Sequence, residues 1–197
     1  SAPEEPESPR PLAPSRSSLQ EAAIRSPLGE DGGQAFHRGL LIHRLLQTLP
    51  DLAETDRAKA AREYLVRPVH GLKPDQIDAM IAETLAVFDD PACAGLFGRG
   101  SRPEVPIAGM AGGVTISGRI DRLVIGPEKV KILDFKTNRP PPTRSADVPM
   151  LYLRQMAAYR SLLRKIYIKH SVECILVWTD GPLIMPLDTQ SLDAYEP

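Results

Sequence analysis

Two runs in the middle of the chain, VTISGRIDRLVI (114–125) and KVKILDFKT (129–137), limit its fold more than any other feature. Both alternate in polarity and are rich in β-branched residues, which is the pattern of strands with two unlike faces. Gly126-Pro127-Glu128 lies between them and breaks the pattern, so the pair reads as a β-hairpin. Residues two apart on a strand share a face, so Asp134 and Lys136 point the same way. The hairpin also returns the chain beside itself, which can bring Asp121 close to Asp134. Two carboxylates and a lysine then converge at one end of a sheet.

The remaining elements follow from periodicity. Residues 19 to about 90 are expected to be helical. SLQEAAIR opens with Ser18 as N-cap and Glu21 three places on, a capping-box pattern. GQAFHRGLLIHRLLQTLP sets Phe36, Leu40, His43 and Leu46 or Gln47 at helical spacing and stops at Pro50. TDRAKAAREYLVR and KPDQIDAMIAETLAVFDD are two further amphipathic helices. After Pro91, PEVPIAG reads as a short extended run ahead of the hairpin, followed by the loop NRPPPTRSADVP and the helix MLYLRQMAAYRSLLRKIY. VECILVWT and PLIMPL are two last strands joined at Asp180-Gly181. Helices, three strands, a helix and two strands make an α/β fold: a mixed β-sheet flanked by helices, with an N-terminal helical region. The sheet core is expected at about 103–187, in one domain spanning 19–197.

Residues 1–18 carry five of the 20 prolines within the first 14 positions. They hold too little apolar surface to offset the entropy of ordering. A disordered linker from a preceding domain and a plain disordered terminus fit this composition equally. Hydrophobic residues make up 42% of the chain, enough for a core, yet no run approaches the ~20 apolar residues needed to cross a bilayer. The two cysteines cannot form a four-cysteine metal or iron–sulfur site and point to a reducing compartment. No apolar signal segment opens the sequence, so a cytoplasmic location without membrane contact is expected.

Hard oxygen ligands such as Asp121 and Asp134 suit Mg²⁺ or Mn²⁺. Such an ion polarises a phosphoryl oxygen and acidifies a bound water, and a lysine nearby offsets charge developing in the transition state. A surface ion pair on an edge strand is the other reading of Asp-x-Lys. Leu133 and Phe135 flank Asp134, and a carboxylate in such an apolar run needs a partner or a metal. Gly39 interrupts a helix at a cost of about 1 kcal/mol, which calls for close approach of another group. One turn on, His43 reads either as a satisfied core histidine or as a ligand. Gln155 and Tyr159, four apart on one helix, read as packing or as chemistry. From Lys136 to Lys169 eight basic residues face one acid, Asp147, although the whole chain has a net charge of -1. That segment reads as a phosphate-tracking groove or as a solvated helix face. Tyr152 could stack on bases, whereas Trp178 reads as core.

Taken in order, Gly39-x-x-x-His43, Gly118-Arg-Ile-Asp121-Arg, Asp134-Phe-Lys136-Thr and Gln155-x-x-x-Tyr159 resemble the RecB-type nucleases of the PD-(D/E)xK superfamily. The resemblance runs from about 34 to 187 and implies the restriction-endonuclease-like core of that superfamily. It implies that His43, Asp121, Asp134 and the backbone carbonyl of Phe135 are metal ligands, with Mg²⁺ as cofactor and Mn²⁺ as substitute. Lys136 would position the attacking water, and Glu104 in RPEVPI resembles the family's additional upstream acid. Gln155 and Tyr159 match the motif that shapes the site and contacts DNA, and Arg154 and Arg139 from the basic segment join them as DNA-binding candidates. Within the family the chain resembles the C-terminal nuclease domain of the AddA-type subunits of bacterial AddAB helicase-nucleases. That resemblance implies an exonuclease-type domain in double-strand break repair, acting on single-stranded DNA near the nucleoid. Its partners would be the helicase domain of the same parent chain and an AddB-like subunit. A nuclease fold that binds DNA or protein without cutting is the alternative.

Overall fold

The computed structural model describes residues 30–197. The linker expected at 1–18 and the capping-box helix expected after Ser18 lie outside the described residues. Helix α1 spans Glu30–Thr48, α2 Glu54–Leu65 and α3 Pro74–Asp89. Strands β1 (Ser101–Ala111), β2 (Val114–Ile125) and β3 (Lys129–Lys136) follow. Then come α4 (Met150–Ile166), β4 (Ser171–Trp178), β5 (Leu183–Pro186) and a short α5 (Thr189–Asp193). The five strands lie in chain order across one mixed sheet, with only β3 and β4 parallel. A parallel neighbour requires a crossover, and α4 supplies it. Among the described residues no helix is long and apolar enough to cross a membrane.

The expected β2–β3 hairpin is present, turning at Gly126–Glu128. The extended run before it is longer than the sequence pattern suggested. Pro103 and Pro106 interrupt the alternation of β1, but all eleven residues from Ser101 are strand, running antiparallel to β2. Gly112 and Gly113 make the tight turn between them, both at positive φ, a backbone shape that side chains oppose. The helix α5 also went unread, being barely more than one turn.

Each face of the sheet has its own core. Val130 and Ile132 of β3 pack with Ile116, Ile120, Met156, Leu162, Leu176 and Trp178 beneath α4. Leu133 and Phe135, of opposite parity, pack with Leu41, Ile42, Leu45, Ile77, Met80, Ile175 and Val177 under the N-terminal helices. Trp178 is core, as read. The buried stripe of α1 matches the expected one only in part: Leu46 is buried as expected, with Leu41, Ile42 and Leu45 and with Leu49 just beyond the helix, while Phe36 and Leu40 are 39% and 50% exposed. Leu40, Leu41, Ile42, Leu45 and Leu46 crowd within two turns of this helix, so spacing alone left two stripes to choose from. The buried one is set by the sheet.

Gly39 explains how closely α1 lies on the sheet. A β-carbon there would sit 2.9 Å from Oγ1 of Thr137, just beyond β3. The close approach expected from the sequence is real, and its partner is the exit of the hairpin strand. In Gly39→Ala, a helix-propensity gain of about 1 kcal/mol offsets the shift of one hydroxyl, so stability should change little. Gly39→Val should lose about 1–3 kcal/mol through overpacking. Urea unfolding of the two variants checks this, and a valine variant as stable as the parent would show that the contact constrains nothing.

Candidate active site

The site begins where β2 and β3 part. Their ladder pairs Ile125 with Val130 and continues to Arg122 with Leu133, where it ends. One step further the register would set Asp121 against Asp134. There Oδ2 of Asp121 accepts the Phe135 backbone N–H at 2.8 Å. A side-chain carboxylate has replaced the missing ladder partner of a buried amide.

The same region of β2 is irregular. Ile116 and Ile120 pack beneath α4, and Leu123 packs there too, so the strand's parity changes between them. Arg122 turns instead toward the N-terminal helices. It is buried, donates to the carbonyls of Leu46 (2.9 Å) and Gln47 (3.3 Å) at the end of α1, and lies over the Phe97 ring. Those carbonyls have no partner within the helix, so the guanidinium satisfies them. Across on β1 the break is taken up by Glu104, whose φ is 52°. A non-glycine residue there costs about 1–2 kcal/mol. Glu104 and Asp121 fall opposite one another in the β1–β2 register, between the pairs Pro103–Arg122 and Val105–Ile120.

Asp134 and Lys136 share the α4 side of β3, as period two requires. Their side chains are each 5% exposed, and Nζ of Lys136 lies 2.7 Å from Oδ2 of Asp134. That oxygen nevertheless has no hydrogen bond of acceptable direction; the two are held by charge. The ammonium also approaches Oε1 of Gln155 at 3.3 Å and sits 3.6 Å from the centre of the Tyr152 ring. Tyr152 in turn donates its hydroxyl to Oδ1 of Asn138 at 2.9 Å. Tyr152 is buried, so the base-stacking role suggested for it is corrected: its face is taken by Lys136. Tyr159 is buried too and donates to the carbonyl of Arg119 at 3.3 Å. Gln155 thus contacts Lys136 directly, and Tyr159 holds the β2 backbone two residues before Asp121.

His43 reaches the site from α1. Its Nδ1 is 3.6 Å from Oδ2 of Asp121, and its ring meets the edge of Phe135 with centroids 6.0 Å apart. It is neither a core histidine nor fully exposed. Burial pushes the imidazole down, but the Asp121 carboxylate outweighs this and holds it above its ordinary 6.5. Asp121 is raised by burial and lowered more by His43 and by the Phe135 N–H, so it lies below the usual carboxylate range. Asp134 goes the other way, because burial and the Asp121 charge outweigh the pull of Lys136. Two carboxylates with unlike environments are thereby pushed apart.

The other candidates lie outside this cluster. Glu104 pairs with Arg119 at 3.3 Å. Arg139 is bound by Glu83 and by Asp180. Arg154 is exposed, with no partner among the described residues. The basic segment is largely spent on internal pairs: Arg144 binds Asp147, Arg160 and Arg164 bind Glu196, and Lys165 reaches the carbonyl of Met110. The +7 that sequence counting assigns to it is therefore not a bare cationic groove.

Asp121, Asp134 and His43 are hard or borderline donors on one end of the sheet, and the buried Asp134 oxygen lacks a hydrogen bond. That chemistry fits a divalent cation. Among the described residues, no three His, Cys, Asp or Glu side chains are gathered into a ready cage. Mg²⁺ does not require one, since it keeps several waters or phosphate oxygens.

The family model described as "PD-(D/E)XK nuclease superfamily" matches residues 18–179. A solved structure titled "Crystal structure of SSO0001" is similar at 17% identity, with a TM-score of 0.34, over 78% of this chain and 71% of that one. No curated protein matches the chain.

The His43–Asp121 pair has a signed consequence in the metal-free chain. A histidine raised by its partner adds stability at pH below its unfolded value, and this is lost as pH rises through the folded value. Asp121→Asn removes the main raising influence and leaves burial and Lys136 against Asp134 alone, so the His43 midpoint should fall. NMR titration of the imidazole nitrogens reads this directly, and an unmoved midpoint would mean the two groups are not coupled.

Proposed function

The chain belongs to the PD-(D/E)XK nuclease superfamily, and on that footing we propose that it is a metal-dependent deoxyribonuclease domain centred on Asp121, Asp134 and Lys136. Nucleases of this superfamily generally use divalent metals. The observation that carries the reading is the buried Asp134–Lys136 pair beside Asp121, with one Asp134 oxygen lacking a hydrogen bond. A desolvated carboxylate and ammonium on one strand face cost several kcal/mol per ion to bury. A merely structural pair could be replaced by apolar side chains, so the arrangement calls for a chemical reason.

Asp121, Asp134, His43 and the Phe135 carbonyl would hold Mg²⁺ or Mn²⁺, which would supply Lewis acidity at a phosphoryl oxygen. Lys136 is the cation of the site. Its ammonium, aligned by the Tyr152 ring and Gln155, orients the attacking water and offsets negative charge as the phosphodiester is cleaved. The Asp121 carboxylate raises the proton affinity of His43, so a metal bound there would compete with a proton. Glu104, on the adjoining strand at strained φ, is the further acid that can reach the substrate side. Arg154, exposed on the first turns of α4, is the clearest phosphate contact, and Arg139 offers what remains of its half-exposed guanidinium.

The proposal extends to the parent protein. The motif order supports the nuclease part of an AddA-type helicase-nuclease, in which a helicase domain of the same chain and an AddB-like subunit would supply unwound single strands during double-strand break repair in a bacterial cytoplasm. One observation favours the second reading, a nuclease fold that binds without cutting: Lys136 lies directly on Asp134, where a cation would otherwise bind.

Cleavage of labelled single-stranded DNA with Mg²⁺ or Mn²⁺ separates the two. Asp134→Asn and Lys136→Ala should each lose about 10²-fold or more in kcat. Calorimetry should show Mn²⁺ binding to the parent and none to Asp134→Asn. Mn²⁺ binding without cleavage by the parent would support the binding-only reading, and undiminished cleavage by either variant would remove the site assignment.

A further inference from the structure

The most unusual buried group outside this cluster is Glu83. It lies on the inward stripe of α3, beside Met80, Thr84 and Val87, and its side chain is 6% exposed. A carboxylate in that position costs several kcal/mol unless it is fully paired. Three donors pair it, each from a different element. Arg38 of α1 and Arg139 of the loop after β3 both bind Oε2, Arg139 at 2.6 Å, and the hydroxyl of Thr179 at the end of β4 binds Oε1.

The remaining bonds of those donors converge on one place. Nη1 of Arg38 donates to the carbonyl of Thr137 at 3.3 Å. The backbone N–H of Thr179 donates to the carbonyl of Lys136 at 3.0 Å. The Thr179 hydroxyl also lies 3.5 Å from that carbonyl, but it has a single proton, which goes to Glu83. Arg139 follows three residues after Lys136 and is tied to Asp180 at 3.2 Å as well. One carboxylate thus clamps residues 136–139 to β4 and to the turn of α1 that carries Gly39. His43 lies one turn further along the same helix.

We infer that Glu83 is a positioning residue for the nuclease site: it sets the exit of β3 against α1, and so sets where Lys136 and His43 stand. It touches neither side chain and acts through Arg38, Arg139 and Thr179. The Lys136 side chain points to the opposite side of the sheet, toward Tyr152 and Gln155, so the position of its ammonium depends on where this backbone is held. The catalytic consequence rests on the nuclease reading; the positioning itself does not.

The test uses the whole chain and two variants. Glu83→Gln keeps the shape and removes the charge. Arg38→Lys keeps charge but loses the fork that joins Glu83 to Thr137, and it serves if the first variant does not fold. Amide hydrogen exchange should quicken about tenfold or more at Thr179 and its neighbours at the ends of β3 and β4, with the β1–β2 hairpin tip unchanged. Cleavage of single-stranded DNA should fall about 10–100-fold in kcat with KM nearly constant, the pattern of misplaced reacting groups rather than lost binding. Unchanged exchange at Thr179 in a folded variant would overturn the inference. So would quickening spread evenly over the sheet, which marks general destabilisation, or local quickening with full kcat. Were the parent chain itself unable to cut DNA, the nuclease reading would fall, and the exchange pattern alone would decide the positioning role.

Discussion

Burying Asp134 and Lys136 together on one strand is the condition to which much of this structure answers. Neither ion can be desolvated alone, and even as a pair they recover their hydration only with further partners. The Tyr152 ring, Gln155 and the nearby Asp121 are those partners for the side chains. For the backbone, the parallel neighbour β4 pairs with β3 along its whole length, from Lys129–Ser171 to Lys136–Trp178. On the other side β2 pairs with β3 only as far as Arg122 and Leu133. The sheet is therefore continuous behind the ion pair and open beside it.

The opening depends on Arg122 and Glu104. If β2 kept strict alternation past Ile120, Arg122 would lie beneath α4 in an apolar core with nothing to receive it. The change of parity carries it to the carbonyls at the end of α1, and the positive φ of Glu104 accommodates the break on β1. Asp121 sits at the point of the change, where its carboxylate serves as a ladder acceptor for Phe135. The helix terminus, the strand irregularity and the acid are coupled, so the strain at Glu104 is stored beside the site it helps to shape.

The hairpin, the parity of Asp134 and Lys136, the helix α4 and the close approach at Gly39 were all legible in the sequence, because each depends on a local pattern of period two, period 3.6 or a helix-breaking residue. What could not be read depends on which partner a long side chain chooses. Arg139, Arg144, Arg160 and Arg164 count alike along the chain, yet Arg160 and Arg164 are neutralised by Glu196, 36 and 32 residues distant, Arg144 by its i,i+3 neighbour Asp147, and Arg139 by both Glu83 and Asp180. Glu83 looked like one more acid in an amphipathic helix, and nothing in its neighbours signals that it faces inward. The stripe of α1 was only partly legible for the same reason: where apolar residues crowd adjacent positions, as from Leu40 to Leu46, a helix takes its buried face from what it packs against.

The charge economy of the site follows from these pairings. Arg38 and Arg139 take their acid, Glu83, from α3, whereas Lys136 lies against Asp134 of its own strand with Asp121 of β2 nearby. Asp121 and Asp134 together outnumber Lys136; the Asp121 charge raises His43, and burial with that same charge raises Asp134. A surplus of negative charge in a low-dielectric site is poorly tolerated by the chain alone. The raised Asp134 and raised His43 are two ways of lowering it with protons, and a divalent cation would lower it further while leaving Lys136 to face an incoming phosphate.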